Sequence, residues 1–449
     1  MAGPSRDDIL SRIRAAGVVG SGGGGFPTHV KYDVRVDVVV ANGAECVPLA
    51  RVDQQEMAEH PDEVLRGLEL AMAATGASRG IVGLKAKYHA AEEALTKAIR
   101  REKLEGRVSL FLLENFYPAG DEFVLVREVL GKVIPEFGLP PDIGAVVSNV
   151  TTLIDVAAAV DQQRPVTSRL VTVAGAVKSP GSFRVPVGTP ISALVEAAGG
   201  TTEKSVRLVL GGPMMGSLAP DAEAPVIKTT SLVLVLPSRH PVVQRRLRDA
   251  RRQIHLTRAA CLKCMMCTDV CPRNLLGHRL YPDRLMRNLA AGVTEDLAAF
   301  TGAYLCSECG LCAVYGCIQN LDPAWVNREM KQRLTAAGVA RPSRTAKGER
   351  VFGPLRRVPT TRLVARLGLT PYDRPAPIRP FEGRPARLVV PLKQHTGAPA
   401  QAVVKVGTNV REGELLGEIP QEQLGARVHA GAAGVVVAID ERAVTIEVG

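Results

Sequence analysis

Two stretches decide how this 449-residue chain is read: Cys261-Leu-Lys-Cys264-Met-Met-Cys267-Thr-Asp-Val-Cys271-Pro272 and Cys306-Ser-Glu-Cys309-Gly-Leu-Cys312-Ala-Val-Tyr-Gly-Cys317. Together they hold eight of the nine cysteines. The spacing Cys-x2-Cys-x2-Cys-x3-Cys-Pro is one that binds cubane [4Fe–4S] clusters. Three thiolates at two-residue gaps can wrap one loop around three corners of a cube, and the fourth iron then takes a thiolate from elsewhere. Structural zinc favours two pairs of cysteines over two runs of four. Disulfides need an oxidising compartment, and residues 1–14 are polar, with Arg6, Asp7 and Asp8, unlike a signal peptide. The second run is irregular: four residues precede Cys317, and Ile318 stands where Pro is expected.

The length predicts three or four domains. The most apolar stretch, Ile143 to Val160, is interrupted by Asn149, Thr151, Thr152 and Asp155, so no membrane span is expected. A cytoplasmic location follows as an expectation and suits oxygen-sensitive clusters. The net charge of +11 raises a nucleic-acid reading. Its cations gather in Arg245–Arg258 and Arg341–Arg387, and aromatic residues are too scarce to stack single strands. Docking to an acidic protein or a solvated surface is the better account, and no nucleic-acid partner is expected.

Along the chain, strand and helix patterns first alternate. Val36–Val40, Gly80–Leu84 and Val108–Leu113 read as strands; residues 7–16, Pro61–Ala74, Ala90–Arg101 and Glu122–Leu130 read as helices. This alternation predicts a parallel sheet covered by helices. A small α+β unit follows, with strands Leu170–Ala174, Gly181–Pro186 and Arg207–Leu210 and a helix over Ile191–Ala198 ending at Gly199-Gly200. Residues 241–340 form a helical cysteine unit. Residues 341–385, rich in Pro and Arg, read as an extended linker. The remainder, 386–449, is strand-rich with turn glycines, predicting a β-sandwich or barrel.

Gly20-x-Gly22-x-x-Gly25 matches the dinucleotide fingerprint only formally, because it follows a helix and precedes a strand. What the glycine run does offer is close backbone approach and free N–H groups for phosphate or flavin. Its wider context is more specific. Gly22-Gly-Gly-Gly-Phe-Pro-Thr28, with Lys31, resembles the flavin loop of the complex I 51-kDa NADH-binding subunit and, more closely, of the Rnf complex C subunit. Asn42-Gly-Ala-Glu-Cys46, Tyr117-Pro-Ala-Gly-Asp-Glu122 and Ser148-Asn-Val-Thr-Thr-Leu153 resemble further segments of those subunits in the same order. Gly211-Gly-Pro-Met-Met-Gly216 resembles a segment of SLBB, ubiquitin-like domains. His395-Thr-Gly-Ala-Pro-Ala and Val406–Gly417 resemble the Rnf barrel-sandwich domain, here at the carboxyl end rather than the amino end. That order resembles the PduS-type cobalamin reductases of bacterial microcompartments. A lipoyl or biotin carrier is disfavoured, since Val428-His-Ala-Gly-Ala-Ala-Gly434 offers no lysine for modification.

The resemblance implies a multidomain α/β plus α+β protein. Its parts would be a Rossmann-like FMN/NADH domain over 1–165, an SLBB domain over 166–240, a two-cluster ferredoxin-like domain over 241–340, the linker, and a barrel-sandwich hybrid over 386–449. In two-cluster ferredoxins the last cysteine of each run serves the other cluster. By that rule Cys261, Cys264, Cys267 and Cys317 hold one [4Fe–4S] cluster, and Cys306, Cys309, Cys312 and Cys271 the second. Matched motifs assign FMN to Gly22, Gly23, Gly24, Gly25, Phe26 and Lys31, bordered by Asn42 and Glu45. Gly120, Asp121 and Glu122 would form the opposing turn, and Asn149 and Thr152 would reach the phosphate. Two departures bear on NADH: Val47 stands where the family commonly has an acid, and Thr151 replaces a glutamate. Cys46 reads as a small buried residue. The implied function is NADH-dependent electron transfer through FMN and two clusters to cobalamin in a microcompartment, with no acid–base or nucleophilic catalyst. A corrinoid adenosyltransferase and a shell protein are the implied partners, and homo-oligomerisation stays open. The alternatives are a C subunit of a membrane Rnf complex and a non-enzymatic electron-transfer component.

Overall fold

The computed structural model describes residues 3–342 and 348–449. Residues 1–2 of the expected first domain and 343–347 of the expected linker lie outside the described residues.

In the amino-terminal unit, strand order is Val108–Leu113, Arg79–Lys85, Val38–Gly43, Ala145–Asn149, all parallel. The run Val38-Val-Val-Ala41 does not alternate polar and apolar because both faces are covered. Val39 and Ala41 enter a core with helices Arg6–Ala15, Pro61–Thr75, His89–Arg101 and Val150–Asp161, whereas Val38 and Val40 meet helix Glu122–Leu130 on the other side. Helix starts are set by side chains that satisfy free amides. Ser5 forms a capping box with Asp8, Asp121 accepts from the amides of Phe123 and Val124, and Asn149 accepts from that of Thr151.

The second unit is a mixed sheet ordered Ile378–Arg379, Gly181–Pro186, Ser168–Gly175, Leu232–Pro237, Val206–Leu210, Ser217–Leu218. Leu232–Pro237, absent from the sequence reading, is a central strand. Leu232, Leu234 and Leu236 face one core and Val233 and Val235 the other. The edge strand comes from the expected linker, which is docked rather than free. Val358–Pro359 pairs with Phe116–Tyr117, helix Thr360–Arg366 follows, and Ile378–Arg379 pairs with Ser182–Phe183. Pro359 suits its place in a two-residue edge strand, where a missing N–H leaves no central ladder bond broken.

Helices Ala250–Ala260, Pro282–Ala291 and Pro323–Ala336 support the cysteine loops. Between Cys312 and Cys317 the backbone makes a π-helical turn over Cys312–Gly316, while the matching part of the first run is an α-helical turn, Met266–Asp269. A π turn accommodates one residue more than an α turn. The longer gap before Cys317 is thereby absorbed locally.

The carboxyl-terminal unit stacks two antiparallel sheets around Leu388, Val390, Leu416, Val428, Val436, Val444 and Ile446, with Val187 of the second unit closing the core. Among the described residues, no helix is long and apolar enough to cross a membrane.

Candidate flavin and cluster sites

In an open parallel sheet, ligands bind beyond the carboxyl ends of the strands, where the strand order reverses. Here that point lies between Val38–Gly43 and Ala145–Asn149, and Asn42 and Asn149 stand opposite each other in register. The glycine loop folds over it. The amide of Gly20 donates to Phe26 O (3.0 Å) and that of Ser21 to Thr152 Oγ1 (2.9 Å). A Cβ on Gly22 would stand 3.7 Å from Asn149 Cβ, while at Gly23 and Gly24 it would meet nothing within 4 Å. Gly23, at φ 101°, has a conformation that side chains disfavour. Phe26 is exposed beside the loop.

The loop is gripped from behind by the carboxyl-terminal unit, an approach the sequence reading did not foresee. Thr396 donates its amide to Gly25 O (2.9 Å) and its hydroxyl to Gly24 O (2.7 Å). The fully buried Lys228 ties the same junction, its Nζ donating to Gly17 O (2.7 Å) and Arg427 O (2.6 Å).

Opposite the loop, Asn42 Nδ2 donates to Gly120 O (3.0 Å), and Lys31 pairs with Glu122 (3.0 Å). Asp121 caps its helix and takes a bidentate bond from Arg273 (2.9 and 3.2 Å). A Cβ on Gly120 would come within 3.2 Å of Cys46 Sγ, so Cys46 fills the space the glycine vacates. Burial pushes the Cys46 thiol up. Val47 packs on Gly212 of the second unit, where an added Cβ would lie 2.3 Å from its Cγ1.

Glu45 faces Asp53, a residue no sequence motif singled out. The Glu45 carboxylate accepts from the amide of Asp53 (2.9 Å) and from Gln54 Nε2 (3.0 Å). Asp53 in turn accepts from Asn149 Nδ2 (2.9 Å) and Thr151 Oγ1 (3.2 Å). Thr151 therefore presents a carboxylate at second hand. Burial, with the Glu45 charge added, pushes Asp53 up to about 8, and burial raises Glu45 as well. The enclosed Lys85 is lowered to about 8 by the same loss of water, and with Tyr88 it reaches Glu45 O (3.4 and 3.2 Å).

These residues fit FMN. The cradle is open where side chains would project, and Ser21 Oγ is buried without a partner, as a phosphate-facing hydroxyl would be. Helix Val150–Asp161 points its amino terminus at the crevice, where its dipole favours an anion.

The cysteines gather across the two runs. Cys261, Cys264, Cys267 and Cys317 line one cavity. Cys271 packs with Cys306, and its thiol feels the charges of Cys309 and Cys306, as that of Cys312 feels all three. Cys267 and Cys312 pack together between the two groups. Burial raises Cys267 and Cys309 to about 12, a cost that coordinated iron removes by binding the thiolate. Among the described residues, no three His, Cys, Asp or Glu side chains converge on a single-ion site. A cubane instead keeps its ligands apart by the width of its own core, so both cysteine sets fit that group.

One turn joins the two kinds of site. Tyr117 donates its hydroxyl to Cys309 O (2.7 Å), and Gly120, Asp121 and Glu122 follow it along the crevice.

Four family models match in chain order: the Nuo51 FMN-binding domain over 13–158, SLBB over 170–217, a 4Fe-4S dicluster domain over 260–322, and the RnfC barrel sandwich hybrid domain over 373–448. Cobalamin reductase PduS of Salmonella typhimurium is 41% identical over 453 residues, covering 98% of this chain and 97% of that one. The C subunit of the proton-translocating ferredoxin:NAD(+) oxidoreductase complex of Clostridium ljungdahlii is 34% identical, covering 60% of this chain and 56% of its own. A solved NAD+-reducing [NiFe]-hydrogenase chain shares the fold, with a TM-score of 0.51 at 22% identity, covering 83% of this chain and 68% of that one.

Proposed function

The chain belongs to the PduS family of cobalamin reductases, and from that premise we propose that it carries electrons from NADH to the cobalt of a corrinoid. The observation that carries this reading is the Tyr117–Glu122 turn, which touches the flavin crevice at Gly120 and Glu122 and the second cysteine set at Cys309. When bound, FMN takes a hydride and releases electrons singly, and the [4Fe–4S] clusters accept one each.

The chain supplies position and field. Gly22 to Gly25 present backbone without side-chain obstruction, Ser21 and Thr152 close the phosphate end, and Lys31 adds a point charge beside Glu122. Burial and the neighbouring Glu45 charge raise Asp53, held between Asn149 and Thr151, so a proton binds this carboxylate pair more readily than it would an exposed acid. The eight cysteines hold the clusters in the exchanged sets described above. Their order leads from the crevice through the Cys271 set, across the Cys267–Cys312 contact, to the Cys261 set.

By its family the protein works in a bacterial microcompartment beside a shell protein, and a corrinoid adenosyltransferase consumes the reduced cobalt. Anaerobic titration with NADH tests the activity. The flavin absorbance of reconstituted protein should bleach and then recover on addition of hydroxocobalamin, with the cob(II)alamin spectrum appearing. Flavin that NADH leaves unbleached would sink the proposal.

A further inference from the structure

The two cysteine loops share one backbone. Lys263 and Met265 in the first lie at φ 57° and 63°; Glu308 and Gly310, their counterparts, lie at 60° and 76°. Their surroundings differ. A Cβ on Gly310 would stand 3.4 Å from Met214 O and 3.5 Å from Met214 Cε, so the Gly211–Gly216 loop roofs the second loop. Arg246 fastens that roof, donating to Pro213 O (2.7 Å), Gly216 O (2.8 Å) and Gly212 O (3.3 Å). Glu308 is paired with Lys331 (3.0 Å).

Among the described residues the first loop has no such roof. Leu262, Met265 and Ile318 line the cavity of the Cys261 set and are 58%, 47% and 54% exposed, the next residue Met266 is 38% exposed, and Cys264 is itself exposed. Met265 holds a left-handed conformation that favours glycine, with about half its surface in water. An apolar patch of this kind marks a contact surface. The segment that leads into the loop is also strongly cationic. Residues 245–263 carry Arg245, Arg246, Arg248, Arg251, Arg252, Arg258 and Lys263 against a lone acid, Asp249. Of these, Arg251, Arg252, Arg258 and Lys263 are exposed and form no salt bridge among the described residues. Arg245 and Arg248 reach Asn320 on the opposite flank.

We propose that this face docks an acidic electron-carrier protein, whose apolar centre covers Met265 as Met214 covers Gly310. The proposal rests on the cluster reading above. Each docking moves one electron: the first cluster is oxidised by one, the carrier is reduced by one, and one hydride from NADH serves two dockings. Charge complementarity would set the encounter rate and its salt dependence, while the apolar centre would set the lifetime of the complex.

The test uses the full reconstituted chain, oxidised flavodoxin as the acidic probe and cytochrome c as the basic one, with binding measured by calorimetry. Flavodoxin should bind, weakening about tenfold between about 50 and about 300 mM salt. The double variant R258E/K263E should weaken it by about tenfold or more, and Met265→Gly by about threefold with iron content retained. Equal or tighter binding of cytochrome c would overturn the proposal, as would an unchanged affinity in R258E/K263E. Binding confined to phosphatidylglycerol vesicles would assign the face to an anionic membrane surface and overturn it equally. Both proteins are oxidised in the binding assay, so it reports on the surface alone. Iron content and NADH bleaching report separately on the cluster and flavin reading.

Discussion

The two cysteine loops are the same device in two environments. Both wrap with left-handed residues at their third and fifth positions. The second is built into the protein: Met214 lies over Gly310, Tyr117 bonds to Cys309 O, and Cys309 and Cys312 are buried. The first lies at the surface, with Met265 at the glycine-favouring position and Cys264 in solvent. Identical local geometry therefore does not set a loop's environment; under the proposals above, what packs over each loop distinguishes an internal relay from an exit.

The strongest way to break the comparison is to test whether the loops exchange their last ligands. Cys271→Ser should abolish the same electron-paramagnetic signal as Cys306→Ser, with iron falling from about eight to about four per chain. Loss of the Cys264→Ser signal instead would mean that each run serves its own cluster.

Swapping the fifth positions probes the roof. Gly310→Met should destabilise the protein by about 1–3 kcal/mol, through the left-handed φ and a long side chain introduced where a Cβ would already touch Met214. Met265→Gly should be stabilising by about 0.5 kcal/mol, because it relieves the same strain with no roof to disturb. Thermal midpoints measured anaerobically would show opposite signs; equal signs would erase the distinction.

A smaller effect sharpens the relay role. Tyr117→Phe removes one hydrogen bond to Cys309 O, worth about 1 kcal/mol. It should shift the second cluster's reduction potential, read by spectroelectrochemistry, and leave the first unchanged.

A pH-dependent effect lies in the crevice and spares both loops. Asp53 is pushed up to about 8 when folded, against an ordinary value of 3.8. Between those values the unfolded chain has lost a proton that the folded one keeps, so stability falls as pH rises from about 4 to about 8. In flavin-free protein, Asp53→Asn should flatten that slope in the thermal midpoint while both cluster signals persist.

Much of this architecture was legible in the chain. The parallel sheet followed from apolar runs alternating with amphipathic helices, and strand Val108–Leu113 and helix Glu122–Leu130 appear with the expected bounds. Leu232–Pro237 could have been read from its unbroken apolar run. The strand Ile378–Arg379 could not, because its pairing with Ser182–Phe183 spans almost two hundred residues of sequence and its prolines suggest a linker. Asp53 carried no signal either: a lone acid at a helix start is ordinary, and its character comes from Glu45, Asn149 and Thr151 converging on it.

The sequence alone pointed to the clusters, because ligand spacing around a cubane is a constraint acting over a few neighbouring residues, while FMN and NADH came from the resemblance of several motifs in order. It even located the irregular gap before Cys317. Only the tertiary structure decided that a π-helical turn absorbs that gap, that Thr396 holds the glycine loop from nearly four hundred residues away, and that one cysteine loop is roofed while its twin is bare. Burial and electrostatic environment are set by which distant surfaces meet, and short-range spacing carries no record of that.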